Sequence, residues 1–159
     1  MLNSKQHKMM WVTEFEPWHL RLLPVLRNDA EHSELLRSTQ HGQWLKEAGN
    51  AFSAWVPEGL VACVGVGIRP HDGRPEAWLI GGPLIDRYRF SFHRKAKRML
   101  ESMSRFYGWP EVFTTTNKTD TRAERWIRAL GFQPVEWPED SATPAEIRNG
   151  YHLYRKEYV

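Results

Sequence analysis

A single α/β domain with a mixed, twisted β-sheet flanked by helices is the fold class this sequence predicts, and three observations predict it. Residues 76–116 read as strand, helix, strand, an order that demands a crossover and therefore a parallel pair. Residues 51–68 read as two strands around a tight turn, which makes an antiparallel hairpin. The chain has 159 residues, long enough for one full core and short for two. One domain over residues 1–159 is therefore expected.

The elements follow in order. Met9 to Phe15 reads as a first strand, and Glu16-Pro17 opens a helix on which Trp18, Leu22, Val25 and Leu26 share a face. Asn28 or Asp29 can cap a second short helix carrying Leu35 and Leu36, and His41-Gly42 precedes a third stretch with Trp44 and Leu45. Ala51 to Val56 is a strand, Pro57-Glu58-Gly59 a turn, and Leu60 to Ile68 a strand apolar enough to be covered on both faces. A polar loop, residues 69–75, leads to the strand Glu76 to Gly81. After Gly82 and Pro83 comes the helix Tyr88 to Tyr107, then the strand Glu111 to Thr116. Thr121 and Glu124 have capping-box spacing, Ala123, Trp126, Ile127 and Leu130 form a stripe, and Gly131 is placed as a stop. A short strand at 135–137, a loop at 138–144 and a last strand at 151–158 complete the order.

The helix at 88–107 organises the chain. Phe92, Ala96, Met99, Leu100, Met103, Phe106 and Tyr107 fall on one helical face, which is expected to point inward. Arg94, Lys95, Lys97 and Arg98 crowd the opposite side of the first turns, near the free N–H groups and the positive end of the helix dipole. An ordinary solvated cationic face explains such a pattern in most helices. Here residues 87–105 hold seven cations against one acid, Glu101, a local excess of +6 in a chain of net charge +3. Basicity this concentrated suits phosphate groups, of a nucleotide cofactor or of nucleic acid. No nucleic-acid-binding module or basic tail accompanies it, which weighs against nucleic acid. The eight tryptophans fall mostly at core-like spacings rather than as stacking platforms.

Composition excludes several classes. Apolar residues make up 41% and charged residues 26% of the chain, as in folded soluble proteins, and no apolar run is long enough to span a bilayer. The first ten residues lack the apolar centre of a secretory signal, and Cys63 is the single cysteine, inside an apolar run. A cytoplasmic protein without disulfides is expected, with Cys63 in the core. No metal is expected, because the seven histidines show no ligand spacing. Neither a nucleophile elbow nor a Walker loop occurs.

The stretch from Asn117 through Ala123 and Leu130 to Gly131-Phe132 resembles the last helix of the GNAT (Gcn5-related N-acetyltransferase) superfamily, where Asn ends a strand and a helix closes on Leu-Gly-Phe. The resemblance implies that the helix after the strand 76–81 holds the pyrophosphate of acetyl-CoA, with a ligand cleft between the strands 76–81 and 111–116. It assigns His93, Arg94, Lys95, Ala96, Lys97, Arg98 and Asn117 to the cofactor. More narrowly, Glu76-Ala77-Trp78-Leu79 followed by Lys95-Ala96-Lys97-Arg98 is similar to divergent GNAT-fold proteins of short-tailed bacteriophages, which implies a host protein partner in the host cytoplasm. The chain departs from the family pattern at three places. Arg94 and Ala96 stand where the pyrophosphate loop carries glycines, and Ile127 stands where many members carry a tyrosine that protonates the leaving thiolate.

Acetyl transfer needs a base for the amine proton, and Glu76 is the best-placed carboxylate, although a strand-end surface acid is the more common explanation of such a residue. His71 and Asp72 are explained by a turn, and Asn117 by capping. The resemblance thus implies an acetyl-CoA-dependent N-acetyltransferase acting on a protein or a small amine. The alternative is a catalytically degenerate GNAT-fold protein that binds a host enzyme or is packaged in the virion.

Overall fold

The computed structural model describes residues 9–23, 39–69, 72–139, 141 and 143–158. The helix expected around Leu35 and Leu36, the positions Val25 and Leu26, and His71 lie outside the described residues. Strands β1 (Trp11–Glu14), β2 (Ala51–Val56), β3 (Gly59–Ile68), β4 (Pro75–Gly81), β5 (Glu111–Asn117), β6 (Gln133–Val135) and β7 (Tyr151–Glu157) form one sheet in the order β1-β2-β3-β4-β5-β7-β6. Helices α1 (Thr39–Ala48), α2 (Leu84–Arg87), α3 (Arg89–Tyr107), α4 (Thr121–Ala129) and α5 (Ala145–Gly150) connect the strands. The sheet is mixed: β4 and β5 run parallel, whereas β1–β2, β2–β3, β5–β7 and β6–β7 are antiparallel. The α/β class with a mixed sheet and flanking helices is the one expected. The chain's contacts fall into two units, Met1–Gly67 with Trp78–Ala96, and Ile68–Ala77 with Lys97–Val159.

In the first unit, the hairpin β2–β3 turns at 57–58, and β3 is buried over most of its length because it is almost wholly apolar. Phe15, Leu20, Leu23, Leu45, Ala51, Leu60 and Cys63 form its core, with Trp55, Trp78 and Ile80 packed against it. The segment after Pro17 is a 3-10 helix, Pro17–Leu22, and not the α-helix its spacing suggested. With three residues per turn, Leu20 and Leu23 line up and are buried, whereas Trp18 is 56% and Leu22 51% exposed. The α1 helix buries Leu45 and exposes Trp44. None of the eight tryptophans is fully buried, contrary to the core role expected for most of them. Trp11, Trp18 and Trp44 are exposed, and Trp55 and Trp78 pack at the edge of the core, where Trp55 Nε1 donates to Thr13 Oγ1 at 2.8 Å.

In the second unit, β5 and β7 pair along their full length from Glu111↔Glu157 to Asn117↔Tyr151. Val112, Phe113, Leu153 and Tyr154 are buried beside Ile127, Leu130 and Phe132. Asp120, and not Thr121, caps α4: its carboxylate accepts the Ala123 N–H at 3.0 Å, so the expected capping box does not form and Glu124 pairs with Arg128 instead. A carboxylate one residue upstream satisfies the Ala123 amide, and the helix starts one residue earlier than a Thr121 cap would set it. The C-terminus is a full Schellman closure, with Gly131 N–H to Arg128 O at 2.9 Å and Phe132 N–H to Ile127 O at 3.1 Å. Gly131 sits at φ 102, and Lys156 Nζ donates to the Leu130 carbonyl at 2.7 Å, placing a cation on the negative end of the helix. The short strand expected at 135–137 lies at 133–135 as β6, the last strand starts at Tyr151 as expected, and α5 is an additional helix.

A Cβ at Gly131 would lie 3.1 Å from Lys156 Cε and would force a side chain into left-handed backbone. Gly131→Ala is therefore expected to lower stability by about 1–2 kcal/mol, the cost of a non-glycine residue in that region, read as a reduced urea midpoint with an unchanged m-value.

Candidate functional site

The cationic helix α3 begins at Arg89, one residue later than expected, after the short turn of α2. The N–H of Tyr88 bonds to Leu84 O and that of Phe92 to Tyr88 O, so amides from Phe92 onward are tied into the helix. Arg94 to Arg98 thus present side-chain charge and not free N–H groups, a turn further along than the sequence implied. Arg94, Lys95, Lys97 and Arg98 are exposed, and none of them has an ion-pair partner among the described residues. His93 is half-buried, and Ala96 is buried on the inner face with Phe92, Leu100 and Met103. The two positions aligned with loop glycines, Arg94 and Ala96, are helical here.

Two residues expected on the inner face are outside it. Phe106 is 81% and Tyr107 48% exposed. The buried arc stops at Met103 and Ser104, and the chain turns away at Gly108.

Glu76, at the start of β4, is half-buried and hydrogen-bonded to Arg69 Nε. Arg69 also faces Asp72 at 3.8 Å, and Asp72 faces Arg74 at 3.7 Å, so the carboxylate belongs to an ion network across the loop before β4. The β4–β5 register is Glu76↔Phe113, and the next carbonyl, Ala77 O, accepts from the Thr114 hydroxyl at 2.8 Å. Asn117 ends β5, where its Oδ1 accepts from Thr119 N at 3.0 Å and Thr119 Oγ1 at 2.7 Å. It holds the turn into α4, which Asp120 caps. Thus Glu76 and Asn117 direct their hydrogen bonds to Arg69 and Thr119, and only residues 93–98 are gathered on one element. Ile127 is buried and lies in the Schellman closure. No group of histidine, cysteine or acidic side chains among the described residues could hold a metal.

A buried polar chain in the first unit escaped the sequence reading. His19 Nδ1 accepts the Glu16 N–H at 3.1 Å and lies 2.8 Å from Ser53 Oγ, which is 3.5 Å from Cys63 Sγ. Because Nδ1 takes a backbone proton, it is the acceptor, Ser53 donates to it, and the Cys63 thiol donates to Ser53. Burial pushes the Cys63 thiol up to about 11, so it stays protonated and is no nucleophile. Glu16 is also paired with Lys46 at 2.7 Å. The signal available in sequence was the Glu16-to-His19 spacing across Pro17, a capping box with histidine in the usual place of glutamate.

The seven-stranded mixed sheet, with β4 parallel to β5 and the cationic helix connecting them, is the fold of solved GNAT acetyltransferases. An acetyltransferase from Streptococcus agalactiae 2603 superposes with a TM-score of 0.68 at 19% identity, covering 95% of this chain and 99% of its own. Ard1 from Thermoplasma volcanium gives 0.68 at 11% identity over 95% and 99%. A GNAT-family acetyltransferase from Bacillus anthracis gives 0.65 at 12% identity over 94% and 95%. At these identities the likeness establishes the fold. No protein-family model matches the sequence, and no curated protein matches it significantly.

Burial lowers the His19 pKa from its ordinary 6.5, with Lys46 adding to the effect and Glu16 opposing it. The unfolded chain then binds a proton that the folded chain refuses, so this contribution is complete above pH 6.5 and is lost as pH falls below it. Urea midpoints of the wild type should drop between pH 7.5 and 5, and the drop should be shallower in His19→Gln. An equal drop in both proteins would contradict it.

Proposed function

We propose that the protein binds acetyl-CoA and acts as an N-acetyltransferase on a protein or a small amine. The observation that carries this reading is the row of exposed cations Arg94, Lys95, Lys97 and Arg98, without an ion pair among the described residues, on the helix that follows β4 of a GNAT fold. These side chains fit the phosphates of the cofactor through charge, and the resemblance assigns His93, Ala96 and Asn117 to the same cofactor. Acetyl-CoA, when bound, supplies an activated acetyl thioester. Glu76 is the proposed base that takes the amine proton, and Arg69 holds its carboxylate in place. Ile127 carries no proton to give, so the thiolate would draw its proton from water. The protein works in the cytoplasm in this reading; no helix among the described residues is long and apolar enough to cross a membrane.

The second reading is a degenerate GNAT-fold protein that grips a host enzyme or a virion partner, as the resemblance to phage proteins implies. It is favoured by Ile127 and by the helical state of Arg94 and Ala96, whose own amides are within the helix where the family pattern has glycines in a loop.

Isothermal titration with acetyl-CoA and with free CoA separates the two. Under the first reading both bind at tens of micromolar or tighter, a scale of about 6–7 kcal/mol. Arg94→Glu with Lys95→Glu then abolishes binding while the melting temperature stays unchanged. Absence of binding to the wild type, or affinity unchanged in the double variant, rejects it.

A further inference from the structure

We propose that the outer face and C-terminal end of α3 form a binding surface for single-stranded nucleic acid. Lys97, Arg98 and Arg105 supply its charge, and Phe106, held by Tyr107 and Trp109, supplies a ring for stacking.

Three observations meet at this end of the helix. The first is an excess of positive charge. Lys97, Arg98 and Arg105 are exposed, and none pairs with an acid among the described residues. Arg98 and Arg105 are seven residues apart, two helical turns, so they lie in one row about 10 Å long. Glu101, the one acid in the region, stands three or four residues from each of them on the helix and offsets one of the three charges, without an ion pair to any of them among the described residues. It acts on Lys156 and Tyr158, raising both, against the burial that lowers Lys156 and alongside the burial that pushes Tyr158 up to about 12.

The second observation is the aromatic corner. Phe106 meets Tyr107 edge-to-face at 4.9 Å, and Tyr107 stacks on Trp109 at 4.8 Å with planes 16° apart. Phe106 leaves 81% of its surface to solvent, a large apolar face that its own fold does not use.

The third is that the corner is built rigidly. Gly108 adopts φ 69, and the Trp109 N–H returns to Ser104 O at 2.9 Å while the Ser104 hydroxyl donates to Trp109 O at 2.7 Å. These reciprocal bonds fold Trp109 back onto Tyr107, so the ring stack is fixed before any ligand arrives. Preorganised aromatic faces beside a row of cations match a strand that alternates phosphates with unpaired bases. A duplex hides its base faces and offers only its charge. Charge complementarity and open ring faces together therefore select a single strand over a duplex or an acidic peptide.

Arg105, Phe106 and Trp109 lie outside the residues assigned to acetyl-CoA, so the two proposals can fail separately. The test is fluorescence anisotropy with a labelled twelve-nucleotide oligo-dT, oligo-U of the same length and a twelve-base-pair duplex, at 50 and 200 mM salt. The wild type is expected to bind both single strands at least about tenfold tighter than the duplex. Phe106→Ala should weaken single-strand binding about 5- to 100-fold, the range for loss of one stacked base. Arg105→Gln should reduce the slope of log affinity against log salt by about 0.7. Both variants should keep the wild-type melting temperature and the wild-type response to acetyl-CoA. The proposal is overturned by no saturable binding at 100 µM, by equal binding of duplex, or by unchanged affinity in Phe106→Ala.

Discussion

The parallel pairing of β4 with β5 is the constraint on which the rest of the second half of the chain depends. Two parallel strands cannot be joined by a tight turn, so the chain must leave the end of β4 and return through a long connection. The nineteen residues of α3 make that return. A helix used this way has to bury one stripe, and Phe92, Ala96, Leu100 and Met103 do so at the spacing of a single face. Everything else on its circumference must be solvated, and the sequence fills that arc with arginine and lysine. The cationic surface is therefore a consequence of where the helix must lie, combined with a composition far more basic than solubility requires.

The first unit solves a different problem. Its core holds His19, Ser53 and Cys63, polar groups whose desolvation is costly unless each finds a partner. The 3-10 helix is what makes the set compatible. It returns His19 to the Glu16 amide across Pro17, which has no amide proton of its own to satisfy, and presents Nδ1 to Ser53 on β2. One ring nitrogen thereby closes the helix start and joins it to the sheet. The arrangement requires a neutral imidazole, which ties the integrity of this end of the core to proton concentration.

The legible parts of the fold were those set by local periodicity. The hairpin 51–68 and the strands 76–81 and 111–116 were readable to within about a residue, because apolar runs bounded by Gly and Pro admit few alternatives. Gly131 was readable as a stop, since its place after a helical stripe leaves it one conformation to serve. What escaped depended on contacts distant in sequence or on the choice between helix types. Trp18 and Leu22 share a face only at 3.6 residues per turn, and the chain chose three. Phe106 and Tyr107 fit the apolar stripe of α3, yet periodicity carries no information about where the covering layer ends. Of the candidate site, the cations on α3 were legible as a cluster. The engagement of Glu76 with Arg69 was not, for no short-range rule pairs residues across a seven-residue loop.

If Arg94 and the helical Ala96 stand where the GNAT pattern carries loop glycines, as the resemblance implies, the cationic face would discriminate less than a glycine loop does. Backbone amides at a glycine loop grip a phosphate at fixed distance and angle, and they lose no side-chain freedom in doing so. Four long side chains in the middle of a helix attract it instead through a field that reaches about a Debye length and weakens with salt. Such a field reads total charge and cannot distinguish a pyrophosphate from another polyanion. Selectivity then has to come from parts of the surface that are held still. Along α3 the rigid feature is the corner closed by Gly108 and the Ser104–Trp109 bonds, which fixes aromatic faces and not amides. In the two readings proposed above, charge would attract a polyanion along the helix, and the fixed corner at its end would supply the selectivity.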